Sequence, residues 1–435
     1  MGVLKNGFWG LFKNAQLQGT PGAATQAYLR VRRGAGDEGN AADGIFQQSH
    51  NIQGAIQNNY SFFLFGPRGV GKSTLLKSVL PPDESYFIDL LDFDLETRLL
   101  NRPKEFTELV EGLPPKIRWV VVDEVQKAPF LLDEVHRQIE GNPNRHFALT
   151  GSSARKLKRG QANLLAGRAF TYTLHPLTTP ELENRFNLQE ALLFGTLPKL
   201  FSLTNPEDKK KYLRAYIETY LKEEIQMEGL IRNLPAFRKF LPLAASENGN
   251  ILSWSNLAQD VGTDAKTIRS YFEILEDTLI GFFLPAYSRS LRKRQKTHPK
   301  FYLFDPGVKR ALVNQLTLDI IPGTPEYGRA FEHFWILEII RQNAYRQADF
   351  SFSYFGTHDI EIDLVIERPG KPLLFVEIKS SEHVKDSDLR PIRTLADGVK
   401  NSEALCLCRE PRKRKVGNVL VCPWQEAFEE IGLGN

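Results

Sequence analysis

From residue 60 the chain alternates short apolar runs with helix-forming stretches. The runs are YSFFLF, YFIDL, IRWVVV, HFALT and AFTYTL. That rhythm predicts a parallel sheet flanked by helices. After about residue 180 the runs stop. KKYLRAYIETYLKEEI carries apolar pairs four apart, at Tyr212/Leu213, Tyr216/Ile217 and Tyr220/Leu221, which predicts a helix with one buried stripe. ILSWSNLAQDVGTDAKTIRSYFEILEDTLI reads as helix, Gly-containing turn and second helix, with Ile268, Phe272, Leu275 and Leu279 on the second helix's buried face. From 327, YGRAFEHFWILEIIRQNA predicts a long helix. Three strands follow, FSFSYF, DIEIDLVIE and PLLFVEIK, the last two joined by an RPGK turn. Residues 1–45 are rich in Gly, Ala, Asn and Gln and read as a mobile tail. No internal repeat is present.

Composition adds bounds to this pattern. A chain of 435 residues exceeds one ordinary core. It is 42% hydrophobic and 25% charged, which is ordinary for a globular protein. The net charge of +4 does not by itself imply nucleic acid. The clustering does more, because RKLKR (155–159), RSLRKRQKTHPK (289–300) and REPRKRK (409–415) are each a solvated loop or a phosphate contact. Cys406, Cys408 and Cys422 fit neither a zinc site nor a disulfide framework. ALCLC reads as a strand in which thiols act as small apolar residues, so a reduced, cytoplasmic chain is expected. No run reaches the ~18 apolar residues of a membrane span. GFWGLF near the start is too short for a signal-peptide core; a short amphipathic helix is the other reading.

The first chemical motif is LFGPRGVGKST. It follows an apolar strand and precedes the helical LLKSVL, the context a phosphate loop requires. Its glycines let backbone N–H groups curl around phosphate oxygens, and the helix N-terminus adds partial positive charge. The nucleotide-binding set is Gly66, Pro67, Arg68, Gly69, Val70, Gly71, Lys72, Ser73 and Thr74, with Asp123 and Thr150. Lys72 is expected to reach the β- and γ-phosphates of ATP, and Ser73 to ligate Mg²⁺. In IRWVVVDEVQ, Asp123 is expected to hold the same ion and Glu124 to polarise the attacking water. HFALTGSS supplies Thr150 or Ser152 as a γ-phosphate sensor, or simply as a turn. Arg168, in LLAGRAFTYTL, is either an arginine finger for a neighbouring copy or a surface ion pair.

The second motif is LFVEIKSS. Side chains alternate along a strand, so Glu377 and Lys379 leave one face, and Val376, Ile378 and Ser380 the other. Such a pair is either a solvated strand end or part of a metal-dependent nuclease site. Asp363 lies on the preceding strand of a tight hairpin, and Glu332 on the helix before it. Carboxylates of this kind bind Mg²⁺, and a lysine beside them orients or helps deprotonate water. His333 and His358 lie nearby in sequence as packing residues or further ligands. Lys266, Thr267, Arg269 and Ser270 lie opposite the buried face of the second helix of the helix–turn–helix segment, where they can enter a major groove, with RSLRKRQK on phosphates.

Taken as a set, GPRGVGKST, VVVDEVQKAP, LTGSS, LAGRAFTYTLHPLT, FGTLPKL, AYIETYLKEEI, KFYLFDPGVKRAL, GRAFEHFWILEI, EIDLVIE and VEIKS resemble the prokaryotic AAA-type ATPases with a C-terminal conserved domain of unknown function. In that family this domain has a restriction-endonuclease-like, PD-(D/E)xK core. The resemblance runs from about residue 46 to the C-terminus. It departs in Ser73, where Thr is frequent, and in the helix acid, for which Glu223 and Glu224 are offered where Asp is common. It implies an α/β multidomain chain: 1–45 a mobile tail, 46–180 a P-loop AAA-type parallel-sheet domain, 181–245 a helical lid, 246–300 a winged-helix module and 301–435 a nuclease-like α/β domain. The expected function is ATP hydrolysis with Mg²⁺ coupled to action on nucleic acid, DNA above all. Glu124, Lys379 and Arg168 are the catalytic residues, and Glu332, Asp363 and Glu377 the second set of metal ligands. An arginine finger in trans implies a homo-oligomer. The rival expectations are an ATP-driven switch and a DNA-binding regulator whose C-terminal domain binds without cutting.

Overall fold

The computed structural model describes residues 46–153, 167–221, 231, 233–288, 298–357 and 360–434. The tail, the RKLKR run, Glu223, Glu224, His358 and most of RSLRKRQKTHPK lie outside these residues. The chain divides into two compact units, Met1–Leu174 and His175–Asn435.

In the first unit all five apolar runs are strands: β1 (Ser61–Phe65), β2 (Ser85–Asp89), β3 (Trp119–Asp123), β4 (His146–Gly151) and β5 (Ala169–Thr173). They form one parallel sheet in the order β2-β3-β4-β1-β5. Burial explains that order. β1 and β4 are buried along their whole length and β3 over its first four residues, as a strand covered on both faces by helices must be. The edge strands β2 and β5 are largely solvent-accessible. Leu64 lies beside Thr150 and Val122 beside Leu149, so the carboxyl ends of β1, β3 and β4 open on one edge. Ligands of open α/β sheets bind at that edge.

The second unit has a helical portion and a larger sheet. KKYLRAYIETYL is not one uniform α-helix. An α-helix spans Pro206–Ala215 and passes into a π-helical turn over Tyr216–Leu221. Leu213 and Tyr216 are its buried stripe. Farther along, α3 (Leu234–Ser246), α4 (Trp254–Val261) and α5 (Ala265–Asp277) pack together, α1 and α2 being kept for Lys72–Val79 and Leu131–Gly141 of the first unit. Ser253 caps α4 and Asp264 caps α5, each accepting a backbone N–H three residues on. Gly262 adopts φ +79° between them, which the turn requires. Behind the helices lies an antiparallel pair, β6 (Gly281–Leu284) and β7 (Lys300–Leu303). Phe272 on α5 contacts the rings of Phe240, Trp254, Phe283 and Phe301, so one aromatic cluster joins the helices to this pair. Leu279 was expected on α5 but lies beyond its end at φ +60°, half-buried; Tyr271 and Ile274 complete the buried face instead.

The C-terminal sheet has six strands. The three predicted ones are β8 (Ser351–Gly356), β9 (Glu361–Glu367) and β10 (Leu373–Ile378), with β11 (Ser402–Cys408), β12 (Arg414–Val416) and β13 (Val419–Pro423) beyond them. The order is β12-β13-β11-β10-β9-β8. The RPGK hairpin pairs Leu374 with Ile366 and Val376 with Leu364. The long helix α7 (Pro325–Arg346), which follows the short α6 (Pro306–Leu312), buries Phe331, Phe334, Trp335 and Ile339 against Leu364, Ile366, Val376 and Ile378. A shorter helix, α8 (Arg390–Asp397), covers Val365, Phe375, Cys406 and Cys408 on the other face. All three cysteines are free and buried. Among the described residues no helix is long and apolar enough to cross a membrane.

Phe272→Ala removes a fully buried ring from the cluster joining α5 to β6 and β7. Truncation of this kind costs about 3–5 kcal/mol. Urea unfolding followed by tryptophan fluorescence should show that loss in the second unit, and an unchanged transition would mean that the cluster does not support the fold.

Candidate active sites

In the first unit the phosphate loop is built as its sequence requires. Gly69 and Gly71 take φ values of +78° and +94°, where a β-carbon is strained. Gly66 lies so close to the next strand's end that an added β-carbon would meet the Leu174 carbonyl oxygen at 2.3 Å. The α1 helix begins at Lys72, directly after the loop. Lys72 is buried and donates to the carbonyls of Gly66 at 2.8 Å and Pro67 at 3.3 Å, so its ammonium is held over the loop. Ser73 is half-buried in the first helical turn.

The end of β3 meets the end of β4 beside this loop. The Thr150 hydroxyl donates to Asp123 and accepts the Glu124 backbone N–H at 3.1 Å. Thr150 thus orients the acidic pair, a role beyond a turn or cap. Glu124 sits at φ +59°, a conformation a non-glycine residue adopts only where its surroundings impose it. Its carboxylate accepts from the Gln126 amide, which also donates to the Ser152 hydroxyl at 2.7 Å. Gln126 was not foreseen. Its only sequence signal is its place two residues after an acid at a strand end. Arg168 lies on the surface and pairs with Glu140 at 2.6 Å. It lowers the Glu140 carboxyl from its ordinary value through that hydrogen bond.

In the second unit the four expected residues converge. Asp363 and Glu377 share the sheet face that carries Val365 and Phe375. Asp363 accepts the Ile378 N–H at 2.7 Å, which pins it across the hairpin. Lys379 donates to Glu377 at 2.5 Å. Three residues not foreseen join them: Tyr302 donates to Glu332 at 2.8 Å, and Lys300 pairs with Glu361 at 2.5 Å and approaches Glu332 at 3.9 Å. Lys300 ends the basic run 289–300, yet it is buried among acids and so belongs to no exposed phosphate surface.

Burial and crowding set the electrostatics. Burial, then Asp363, pushes the Glu332 carboxyl up to about 7. The same two causes push Glu377 up to about 8, and burial raises Asp363. For Lys379, burial opposes its charge, but Glu377 and Asp363 outweigh it and raise the group. The donor set suits a hard cation, and Glu377 Oε2 is buried with no hydrogen-bond partner, so the chemistry of the residues fits Mg²⁺. The placement fits less well. Among the described residues no three His, Cys, Asp or Glu groups are set out to hold one metal ion, and the charge facing the acids comes from Lys300 and Lys379. His333 is a packing residue here: burial lowers it to about 3, and its ring hydrogen-bonds the Leu303 carbonyl at 2.6 Å.

Of the four α5 residues expected to enter a groove, Thr267 and Arg269 have side-chain partners and Ser270 is half-buried. Thr267 caps the helix with Asp264, and Arg269 pairs with Glu273 at 3.1 Å; Lys266 is exposed. Within 409–415, Arg409, Lys413 and Arg414 pair with Glu382, Glu426 and Glu410, the arrangement of a solvated face.

Comparison with known proteins matches residues 58–183 to the AAA domain family. Residues 185–319 and 327–427 match two domains of unknown function, DUF8612 and DUF4143. An uncharacterized protein of Mycobacterium tuberculosis is 28% identical over 319 residues, 73% of this chain and 69% of that protein. One of Methanocaldococcus jannaschii is 21% identical over 353 residues, 75% of this chain and 76% of its own. Among solved structures, a Walker-type ATPase of Pyrococcus abyssi aligns with 61% of this chain and 94% of its own at 16% identity and a TM-score of 0.43. With the phosphate loop and acidic strand end already placed, residues 58–183 are an AAA-type ATPase domain of the P-loop class.

Proposed function

We propose that the chain binds ATP with Mg²⁺ and hydrolyses it in the first unit, and that the second unit acts on nucleic acid. The observation that carries the first half is the meeting of the phosphate loop with the Asp123–Thr150–Glu124 hydrogen bonds on one sheet edge. In this reading Lys72 leaves its own loop carbonyls for the β- and γ-phosphates. Ser73 and Asp123 hold Mg²⁺, which neutralises charge on the phosphates. Glu124 orients the attacking water once its carboxylate turns from Gln126 and Ser152. Arg168 acts only from a second copy, since within one chain it pairs with Glu140.

The finer reading of the second unit is Mg²⁺-dependent phosphodiester cleavage. Glu332, Asp363 and Glu377 would hold the ion, which would supply Lewis-acid chemistry, and Lys379 would position the water. Support comes from the orphaned Glu377 oxygen and the two carboxyls raised into the neutral range. The rival is an ATP-driven switch whose winged-helix-like and C-terminal parts bind nucleic acid without cutting. It is favoured by one observation, that Lys300 and Lys379 already answer the acids.

The ATPase half predicts distinct kinetics for two variants. Lys72→Ala should lose ATP binding in equilibrium titration. Glu124→Gln should keep binding and lower kcat by roughly 10²–10⁴-fold, the usual contribution of a positioned base. Glu124→Gln with unchanged turnover would remove Glu124 from the mechanism.

Cleavage of plasmid and single-stranded DNA with Mg²⁺ or Mn²⁺ separates the two readings of the second unit. Loss of cutting in both Asp363→Ala and Lys379→Ala supports the nuclease, whereas ATP hydrolysis with no cutting by the wild type leaves the switch.

The raised carboxyls also predict a pH effect. Glu332 and Glu377 hold protons in the folded chain that the unfolded chain releases, from near the ordinary 4.5 up to about 8. Stability therefore falls as pH rises through that window. Mg²⁺ without nucleotide should raise the Tm more at pH 8 than at pH 5.5, and Glu377→Gln should flatten the fall. Equal Mg²⁺ effects at both pH values would count against a cation among these acids.

A further inference from the structure

A cavity of about 250 Å³ lies in the second unit, between the end of α3, α6 and the first turns of α7. None of Glu332, Asp363, Glu377 or Lys379 lines it. Three cations do, Lys309, Arg310 and Arg329, against the single carboxylate of Glu326. His333 adds no charge near neutral pH, because burial holds it far below its ordinary value. Three positive charges less one negative leave the lining at +2. Glu326 pairs with Lys309 at 3.3 Å and with Arg329 at 2.9 Å, so one carboxylate holds both cations at the cavity without neutralising them.

Two buried polar atoms of the lining have no hydrogen-bond partner. Arg310 is 2% exposed and donates through Nη2 to the Gln315 and Leu318 carbonyls, but its Nε–H is unanswered. The Gln315 side-chain oxygen is unanswered as well. Both atoms are closed off from solvent, so neither reaches into the cavity, and the cations of the lining set what it can take. The net positive lining asks for a small anion. The volume lies just below the range of drug-sized ligand sites, which limits it to a small molecule.

We propose that this cavity binds a small phosphate-bearing anion, either inorganic phosphate or a small phosphate monoester. The phosphate sits against Lys309, Arg310 and Arg329, whose charged N–H groups suit its oxygens. Burial lowers the Lys309 ammonium from its ordinary value, and a bound dianion restores it.

The test uses the full chain carrying Lys72→Ala, which disables the phosphate loop of the first unit and keeps that site out of the measurement. Isothermal titration with ribose 5-phosphate, and separately with inorganic phosphate, at constant ionic strength, reads the cavity. At least one of the two, ribose 5-phosphate or inorganic phosphate, should bind in the millimolar range or tighter. Arg329→Gln, a change at a mostly exposed side chain, should weaken that binding by at least about tenfold, and Lys309→Gln should do the same. Circular dichroism establishes that each variant is folded; Arg329→Gln carries the test if Lys309→Gln is not. Absence of heat with either ligand, or binding undiminished in Arg329→Gln, overturns the proposal.

Discussion

Charges and dipoles removed from water have to be answered by something, and each unit of this chain shows a different answer. In the first, Lys72 is buried over a loop of backbone groups shaped for an anion, and it turns to the loop's own carbonyls. In the second, three carboxyls crowd one end of a sheet, and two lysines face them. Breaking a buried pair from one side is far costlier than the net worth of the pair, so each set constrains the backbone that carries it. The strained Glu124 is the clearest instance, because its N–H and its carboxylate are each tied to hydroxyls or amides at the ends of β3 and β4.

That constraint reaches across the second unit. Lys300 and Tyr302 lie on β7, the strand paired with β6 behind the three-helix portion. Both reach into the acid cluster. The aromatic cluster around Phe272 grips the same pair from the helix side. The helical portion and the carboxylate cluster are therefore not independent modules strung on a linker. Tyr302 and Lys300 thus tie the position of β7 to the surroundings of Glu332.

Legibility in the sequence followed the range of the interactions concerned. The central strands β1, β3 and β4 were readable because strands buried on both faces are written as continuous apolar runs, the exposed edge strands β2 and β5 because their short runs recur between helical stretches, and the RPGK hairpin because its signal is local. The phosphate loop was readable for the same reason, since its glycines and lysine act within one short segment. Gln126, Lys300, Tyr302 and Glu361 were not, because each earns its place through partners far along the chain or through a turn no local pattern encodes. Lys300 was read as part of a basic surface run, and only the register of β7 shows that it faces inward. The end of α5 was misplaced because Leu279 keeps the helical spacing while Thr278 already caps the helix and turns the chain.

The same physics separates the two readings of the acid cluster. A cluster built for a divalent cation should keep an oxygen unsatisfied and its carboxyls reluctant to ionise until the ion arrives, and Glu377 has both properties. A cluster built for stability alone should pair each acid with a cation and leave no oxygen orphaned. This one does both in part: Lys379 satisfies one Glu377 oxygen and leaves the other bare. The described residues keep other buried polar atoms without partners, the Gln342 amide among them, so it is the bare oxygen together with the crowding of Glu332, Asp363 and Glu377, and not the oxygen by itself, that separates the two readings.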